Sequence, residues 1–367
     1  MSFDPTIRIR TDVAKMEAYT PIVPFDVLSA RLQRPPEEII KLDANENPYG
    51  PSPRIYQALA NEGYYHIYPD PDSNALREAL SDFLSVDKSH IMVGHGADEL
   101  IDLIMRLFIQ PGDVVIDCQP TFGMYSFDTG LNSGQVLRVP RRADFSVDVV
   151  GIEGATANLP QPKLLFLTSP NNPDGGLLND ADLRYLLNLP LVVILDEAYV
   201  EFYGKSRVKW VEEYDNLVLL RTFSKWAGLA GLRVGYGVFP AAIISHLWKI
   251  KQPYNVNVAG AVAALASLND LDYLMKNVEK IIAERERLYQ ALTQFEFLRP
   301  YPSQANFVLC CVLGRDARQL KLDLEGKGIL VRYFSKPGLT DHIRISVGKP
   351  EQTDTLLTTL QHLTSQA

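Results

Sequence analysis

A single lysine, Lys225, stands among small and apolar residues in the stretch Thr222-Phe223-Ser224-Lys225-Trp226-Ala227-Gly228, which follows the apolar run Leu217-Val218-Leu219-Leu220 after one residue, Arg221. An amine partly withdrawn from water holds its proton less tightly and exposes its lone pair. Such an amine suits a Schiff base with an aldehyde cofactor; its alternative is a solvated charge in a Gly-rich turn. Thr222 and Ser224 add hydroxyls, and Arg233 adds a planar fork that matches a phosphate. Asp196 closes a second apolar run, Leu191-Val192-Val193-Ile194-Leu195. A carboxylate there can face a ring nitrogen and keep it protonated, which creates an electron sink for carbanion chemistry; it can equally cap a helix. Asn172, within Ser169-Pro170-Asn171-Asn172-Pro173-Asp174-Gly175, offers an amide donor to a phenolate oxygen, or simply belongs to a turn. Gly94-His95-Gly96-Ala97-Asp98-Glu99 ends one strand-like run and opens a helix-like one. The N–H groups at such a helix start bind phosphate well, and the plainer reading is an ordinary loop.

These groups need elements that bring them together, and they fall at the carboxyl ends of apolar runs. That is where open α/β sheets bind their ligands. The runs predict strands over 91–94, 114–117, 164–167 and 191–196, with helices over 54–60, 74–84 and 96–108. Runs that are apolar throughout are covered on both faces, so the sheet is mostly parallel and lies between helices. Beyond Tyr254 the pattern changes to helices over 258–268 and 271–295 and strands over 306–312, 329–332 and 342–347. This predicts an α/β large domain over 49–262 and a smaller α+β domain built from 1–48 and 263–367. Residues 1–47 are Pro-rich and irregular, with a helix-like piece at 25–32. Residues 64–71 read as aromatic and extended, because a residue before proline avoids the helical region.

Composition narrows the class of function. The 367 residues suffice for two cores, and 46% apolar with 22% charged residues is ordinary for a globular protein. A net charge of -8 argues against nucleic acid or an anionic membrane as partner. Cys118, Cys310 and Cys311 form neither a metal-ligand spacing nor an even disulfide framework, so no metal is expected. The adjacent pair lies in a strand-like run and reads as small buried hydrophobes. A reducing, cytoplasmic location fits, and no apolar run approaches membrane-spanning length.

The order of these pieces resembles the fold-type I aminotransferases that use pyridoxal 5'-phosphate. The matching motifs are Ser169-Pro170-Asn171-Asn172-Pro173, Asp196-Glu197-Ala198-Tyr199, and Ser224-Lys225 followed by Arg233. More narrowly, nearly the whole chain resembles the histidinol-phosphate aminotransferases. That likeness rests on Leu42-Asp43-Ala44-Asn45-Glu46-Asn47-Pro48-Tyr49-Gly50, Tyr68-Pro69-Asp70-Pro71, Pro120-Thr121-Phe122-Gly123-Met124-Tyr125 and Ala230-Gly231-Leu232-Arg233-Val234-Gly235-Tyr236.

The resemblance implies that Lys225 carries the cofactor and shuttles the proton between substrate and cofactor. Asp196 would pair with the ring nitrogen, Asn172 and Tyr199 with the phenolic oxygen, and Phe122 would stack on the ring. Ala97, Asp98, Thr222, Ser224 and Arg233 would hold the cofactor phosphate. Tyr68 would reach that phosphate from the other subunit of a homodimer. Arg332 and Arg344 would bind the anionic end of the substrate, with Tyr19 closing over it. The implied reaction moves an amino group from L-histidinol phosphate to 2-oxoglutarate, giving imidazole-acetol phosphate and L-glutamate, in histidine biosynthesis. Aromatic-amino-acid aminotransferases and threonine-phosphate decarboxylases share the fold and are the nearest alternatives. Two positions depart from the usual pattern. Phe122 stands where many relatives have tyrosine, which removes a hydroxyl, and Asp174 stands where threonine is usual, which still permits an Asx-type turn. Asn45 and Asn47 are expected near the substrate channel, and the sequence assigns neither a role.

Overall fold

In the computed structural model, residues 3–16, 23–157 and 160–365 are described. Among the described residues, twelve strands form two sheets. The strands are β1 (Ile40–Leu42), β2 (Ile91–Gly94), β3 (Val114–Asp117), β4 (Gln135–Arg138), β5 (Pro162–Thr168) and β6 (Val192–Asp196), then β7 (Leu217–Thr222), β8 (Gly235–Val238), β9 (Leu298–Pro300), β10 (Phe307–Val312), β11 (Ile329–Tyr333) and β12 (His342–Ser346). The larger sheet has seven strands in the order β2-β8-β7-β6-β5-β3-β4. The pairs β4–β3, β3–β5, β5–β6 and β6–β7 are parallel; β8 runs antiparallel to both β7 and β2. The protein is thus α/β, with a mostly parallel sheet flanked by helices.

The three central strands are buried on both faces: Leu165, Val193, Ile194, Leu195, Val218 and Leu219 are wholly inaccessible. Each such side chain contributes about 1.5–3 kcal/mol by leaving water. Helices cover the two faces with narrower apolar stripes. In the helix Asn74–Leu84 the buried residues are Leu76, Leu80 and Leu84, one per turn. The helix Gly96–Phe108 buries Leu100, Ile101, Ile104 and Met105 and carries Asp98 and Glu99 in its first turn, where the helix dipole favours negative charge. Beneath β7, Arg221 donates to Glu201 at 2.7 Å, with both side chains buried. Removing one partner would strand a charge in the core at a cost of about 3–5 kcal/mol, so the pair secures the strand that delivers Thr222.

The second sheet has five strands in the order β1-β11-β12-β10-β9. The N-terminal strand β1 pairs parallel with β11, Leu42 opposite Val331. Strands β10, β11 and β12 pair antiparallel, and this sets Arg332 beside Arg344. Cys310 and Cys311 are buried in β10.

Local departures from the sequence reading have simple causes. The aromatic segment 64–71 is not extended throughout, because the N–H of Ile67 bonds to the carbonyl of Tyr64 at 3.0 Å and closes a turn. Proline restrains only the residue just before it. The helix Leu271–Leu292 stops short of 295; Leu292 is buried and Thr293 caps it through bonds to Tyr289 and Ala291. Four strands escaped the sequence reading: β1 and β9 are three residues long, β1 falling in the segment read as irregular; β4, at the sheet edge, exposes Gln135 and Arg138; and β8 is the Gly-rich Gly235-Tyr236-Gly237-Val238. Tyr19 lies outside the described residues.

Candidate active site

A cavity of about 1000 Å³ opens between the two sheets at the carboxyl ends of the parallel strands. The chain positions its lining strand by strand. Asp196 is the last residue of β6 and Thr222 the last of β7; the turn after β7 carries Ser224 and Lys225. Thr168, ending β5, and Asn172, in the turn beyond it, face the same space. Arg332 on β11 and Arg344 on β12 reach in from the five-stranded sheet.

Lys225 Nζ donates to the carbonyl of Ala44 at 3.2 Å and lies 5.9 Å from the centre of the Tyr199 ring. Burial, helped by the positive charge of Arg344, pushes its pKa down to about 8. At pH 7 about a tenth of this amine is therefore neutral and ready to take up a proton, and about half at pH 8. Asp196 is buried, and its Oδ2 accepts from the Tyr125 hydroxyl at 2.6 Å while Oδ1 accepts from the Ala198 N–H at 2.9 Å. Burial pushes its carboxyl up to about 6 against those two bonds. A cationic ring nitrogen opposite it would return it firmly to the ionised form. Tyr199 accepts a bond from Asn45 Nδ2 at 3.0 Å. Arg344 donates to Asn172 Oδ1, which fixes the amide and leaves Nδ2 as its donor end, and to the carbonyl of Asp43 at 2.8 Å. Phe122 stands edge-on to Tyr125 on the cavity wall.

A second group clusters at the start of the helix Gly96–Phe108. Ala97 and Asp98 occupy its first turn, and Arg233 Nη2 donates to Asp98 Oδ2 at 2.7 Å. The Ser224 N–H bonds to Thr222 Oγ1 at 3.0 Å, and the Thr222 hydroxyl lies at the same distance from Ser224 Oγ. Gly96 adopts φ +73°, and a Cβ there would sit 2.6 Å from Arg233 Nη2. Only glycine leaves that guanidinium its place. Helix N–H groups, two hydroxyls and a guanidinium together make an anion cradle.

The sequence-predicted residues thus converge on one cavity, with two exceptions. Tyr68 does not line it: its side chain is 79% exposed and stacks on Tyr254 at 4.7 Å. Tyr19 falls outside the described residues. Two neighbours escaped the sequence reading. Tyr125 is buried beside Asp196, and Asn45, at φ 55°, ties Tyr199 to the five-stranded sheet through the Ser346 hydroxyl and Asn306 Nδ2. Nothing in local sequence signals contacts that span 154 or 301 positions. Asp174 behaves as expected, its carboxylate accepting from the Gly176 N–H at 2.7 Å.

The donor set fits pyridoxal 5'-phosphate: a desolvated amine, a buried acid for the ring nitrogen, donors for the phenolic oxygen, an aromatic face and an anion cradle that a Cβ at Gly96 would fill. Comparison with known proteins agrees. The family described as "Aminotransferase class I and II" matches residues 37–360. The chain is 53% identical to histidinol-phosphate aminotransferase 1, chloroplastic, of Arabidopsis thaliana over 355 residues, 96% of this chain and 85% of that one. It is 53% identical to the histidinol-phosphate aminotransferase of Roseiflexus castenholzii over 363 residues, covering 97% and 98% of the two chains. The structure of the Sinorhizobium meliloti histidinol-phosphate aminotransferase in complex with pyridoxal-5'-phosphate superposes with a TM-score of 0.88 at 28% identity, covering 97% and 98%. On this family match and near full-length identity, the chain belongs to the class I and II aminotransferases, among the histidinol-phosphate aminotransferases.

Proposed function

We propose that this chain transfers the amino group of L-histidinol phosphate to 2-oxoglutarate on pyridoxal 5'-phosphate, giving imidazole-acetol phosphate and L-glutamate in L-histidine biosynthesis. The observation that carries it is the convergence of Lys225, Asp196, Tyr199 and Asn172 with Arg332 and Arg344 in a single cavity.

The bound cofactor supplies an electron sink for the pair released when the substrate's α C–H bond breaks. Lys225 would hold the cofactor through Nζ, and that amine, when neutral, would take the substrate's α-proton. Asp196 keeps the ring nitrogen protonated, with its own carboxylate steered by Tyr125 and the Ala198 N–H. Tyr199 and Asn172 hold the phenolic oxygen, and Phe122 covers the ring. Thr222, Ser224, Arg233 and the N–H groups of Ala97 and Asp98 hold the cofactor phosphate. Arg332 and Arg344 bind the phosphate of one substrate and a carboxylate of the other, since both anions accept bidentate forks. The cleft lies between a large unit, 49–262, and a small one, 1–48 with 263–367.

We assign a homodimer in which Tyr68 completes the partner's phosphate site. Its exposure beside Tyr64, Tyr65 and Ile67 supports that placement, since a cluster of exposed apolar side chains marks an interaction surface. Among the described residues no helix is long and apolar enough to cross a membrane. Three free, buried cysteines support a reducing compartment, the cytoplasm. The test is a substrate panel on cofactor-loaded protein: histidinol phosphate should have the highest kcat/KM. If phenylalanine or threonine phosphate outpaced it, the assignment would fail.

A further inference from the structure

One buried carboxylate on the cavity wall takes no part in holding the cofactor or the anionic end of the substrate. Asp117 ends β3 and is 1% exposed. Its Oδ2 accepts from the Ser126 hydroxyl and from Gln119 Nε2 at 2.9 Å. Gln119 Nε2 also reaches Ser126 Oγ at 3.0 Å, so the three side chains lock one another. Asp117 Oδ1 has no hydrogen-bond partner among the described residues. The other carboxylates lining the cavity are all engaged. Asp43 and Glu46 sit against Lys41, Asp98 against Arg233, and Asp196 against Tyr125.

A buried acceptor left without a donor is costly, and the cost is relieved when a ligand supplies an N–H. The acceptor is also rigid, because its partner oxygen is held from two sides, and a fixed acceptor selects for geometry as well as charge. Burial raises the Asp117 carboxyl, while Lys336 and Arg138 on the same wall pull it down. Those two cations let the wall receive a carboxylate-tipped side chain as well.

We propose that Asp117 reads the nitrogen heterocycle of the substrate: its Oδ1 accepts the ring N–H of histidinol phosphate and thereby favours imidazole over phenyl. This rests on the transamination reading above. Glutamate has no ring N–H, and its distal carboxylate meets Lys336 and Arg138 instead. The wall therefore serves two unlike side chains with two sets of groups.

The test measures each half-reaction of the holoenzyme separately, with L-histidinol phosphate and with L-glutamate. Asp117→Asn keeps shape but presents an amide N–H where an acceptor is needed. Its kcat/KM for histidinol phosphate should fall about tenfold to a hundredfold further than its kcat/KM for glutamate, the range for a hydrogen bond to a charged group. An unchanged ratio between the two substrates overturns the proposal. A second measurement needs no variant: the wild-type enzyme should use the phenyl analogue, L-phenylalaninol phosphate, at least about tenfold less well than histidinol phosphate. Equal kcat/KM for the two also overturns it. Absence of wild-type turnover with histidinol phosphate would instead sink the transamination reading itself.

Discussion

Tyr125→Phe isolates one oxygen in the site. The hydroxyl donates to Asp196 Oδ2 at 2.6 Å, and the ring stacks on Phe166 at 4.7 Å, so the variant loses the bond and keeps the packing. Asp196 already sits at about 6, with burial pushing it up and this bond pulling it down. A hydrogen bond to a charged group is worth about 1.5–3 kcal/mol. At 1.36 kcal/mol per pH unit, its loss moves the acid's midpoint up by roughly one to two pH units, to about 7–8. The ionised form, which pairs with the cofactor's cationic nitrogen, then falls at pH 7 from roughly nine-tenths of the protein to about half or less. Cofactor titration of the apo protein from pH 5 to 9, followed by absorbance, measures this directly. Affinity should decline toward acid pH in both proteins, with the midpoint of decline higher in the variant. Coincident midpoints would refute the view that Tyr125 holds Asp196 in its ionised form.

Other perturbations follow from the same geometry. Lys225→Ala should remove the absorbance band of bound cofactor and lower turnover by about 10²–10⁴, the usual share of a positioned acid–base group; a spectrum and rate like the wild type would contradict the role. Gly96→Ala forces a residue at φ +73° to carry a Cβ 2.6 Å from Arg233. Strain of about 1–3 kcal/mol should raise the cofactor's dissociation constant by roughly tenfold or more, as equilibrium binding would report. Asp128 is buried, and that burial together with Asp102 and Asp98 pushes its carboxyl up to about 7. An acid raised on folding is harmless below its unfolded value, and its penalty grows as pH rises to the folded one. Asp128→Asn should therefore stabilise by a few kcal/mol above pH 7 and very little near pH 4, as urea unfolding at several pH values would show. Arg344→Lys, losing the fork that spans Asn172 and Asp43, should raise the KM for histidinol phosphate by about tenfold in steady-state assays.

The legible parts of the fold were those where composition leaves one physical option. The runs behind β5, β6 and β7 are wholly apolar, and only a strand covered on both faces accommodates them. The helix Asn74–Leu84 shows the stripe of a one-sided core. Illegible were β4 and β8, whose stability comes from neighbours rather than from their own side chains. The same contrast runs through the site. Lys225 stands out as a lone lysine among small and apolar residues, and Asp196 because a charge ends an apolar run. Tyr125 is one aromatic among many until its hydroxyl meets Asp196, 71 positions away. Asn45 falls in a motif that carries the resemblance, yet its role has no local signal, since its left-handed backbone and its partners come from the assembled fold.

Asn45 is stitched to both halves of the molecule, to Tyr199 on one side and to Ser346 and Asn306 on the other. Two further bonds cross the same cavity, from Lys225 Nζ to the carbonyl of Ala44 and from Arg344 to Asn172. Together they tie the walls carried by the two sheets at several points around the reacting groups, so the spacing of Tyr199 and Lys225 is set by the join between the sheets and not by either sheet alone.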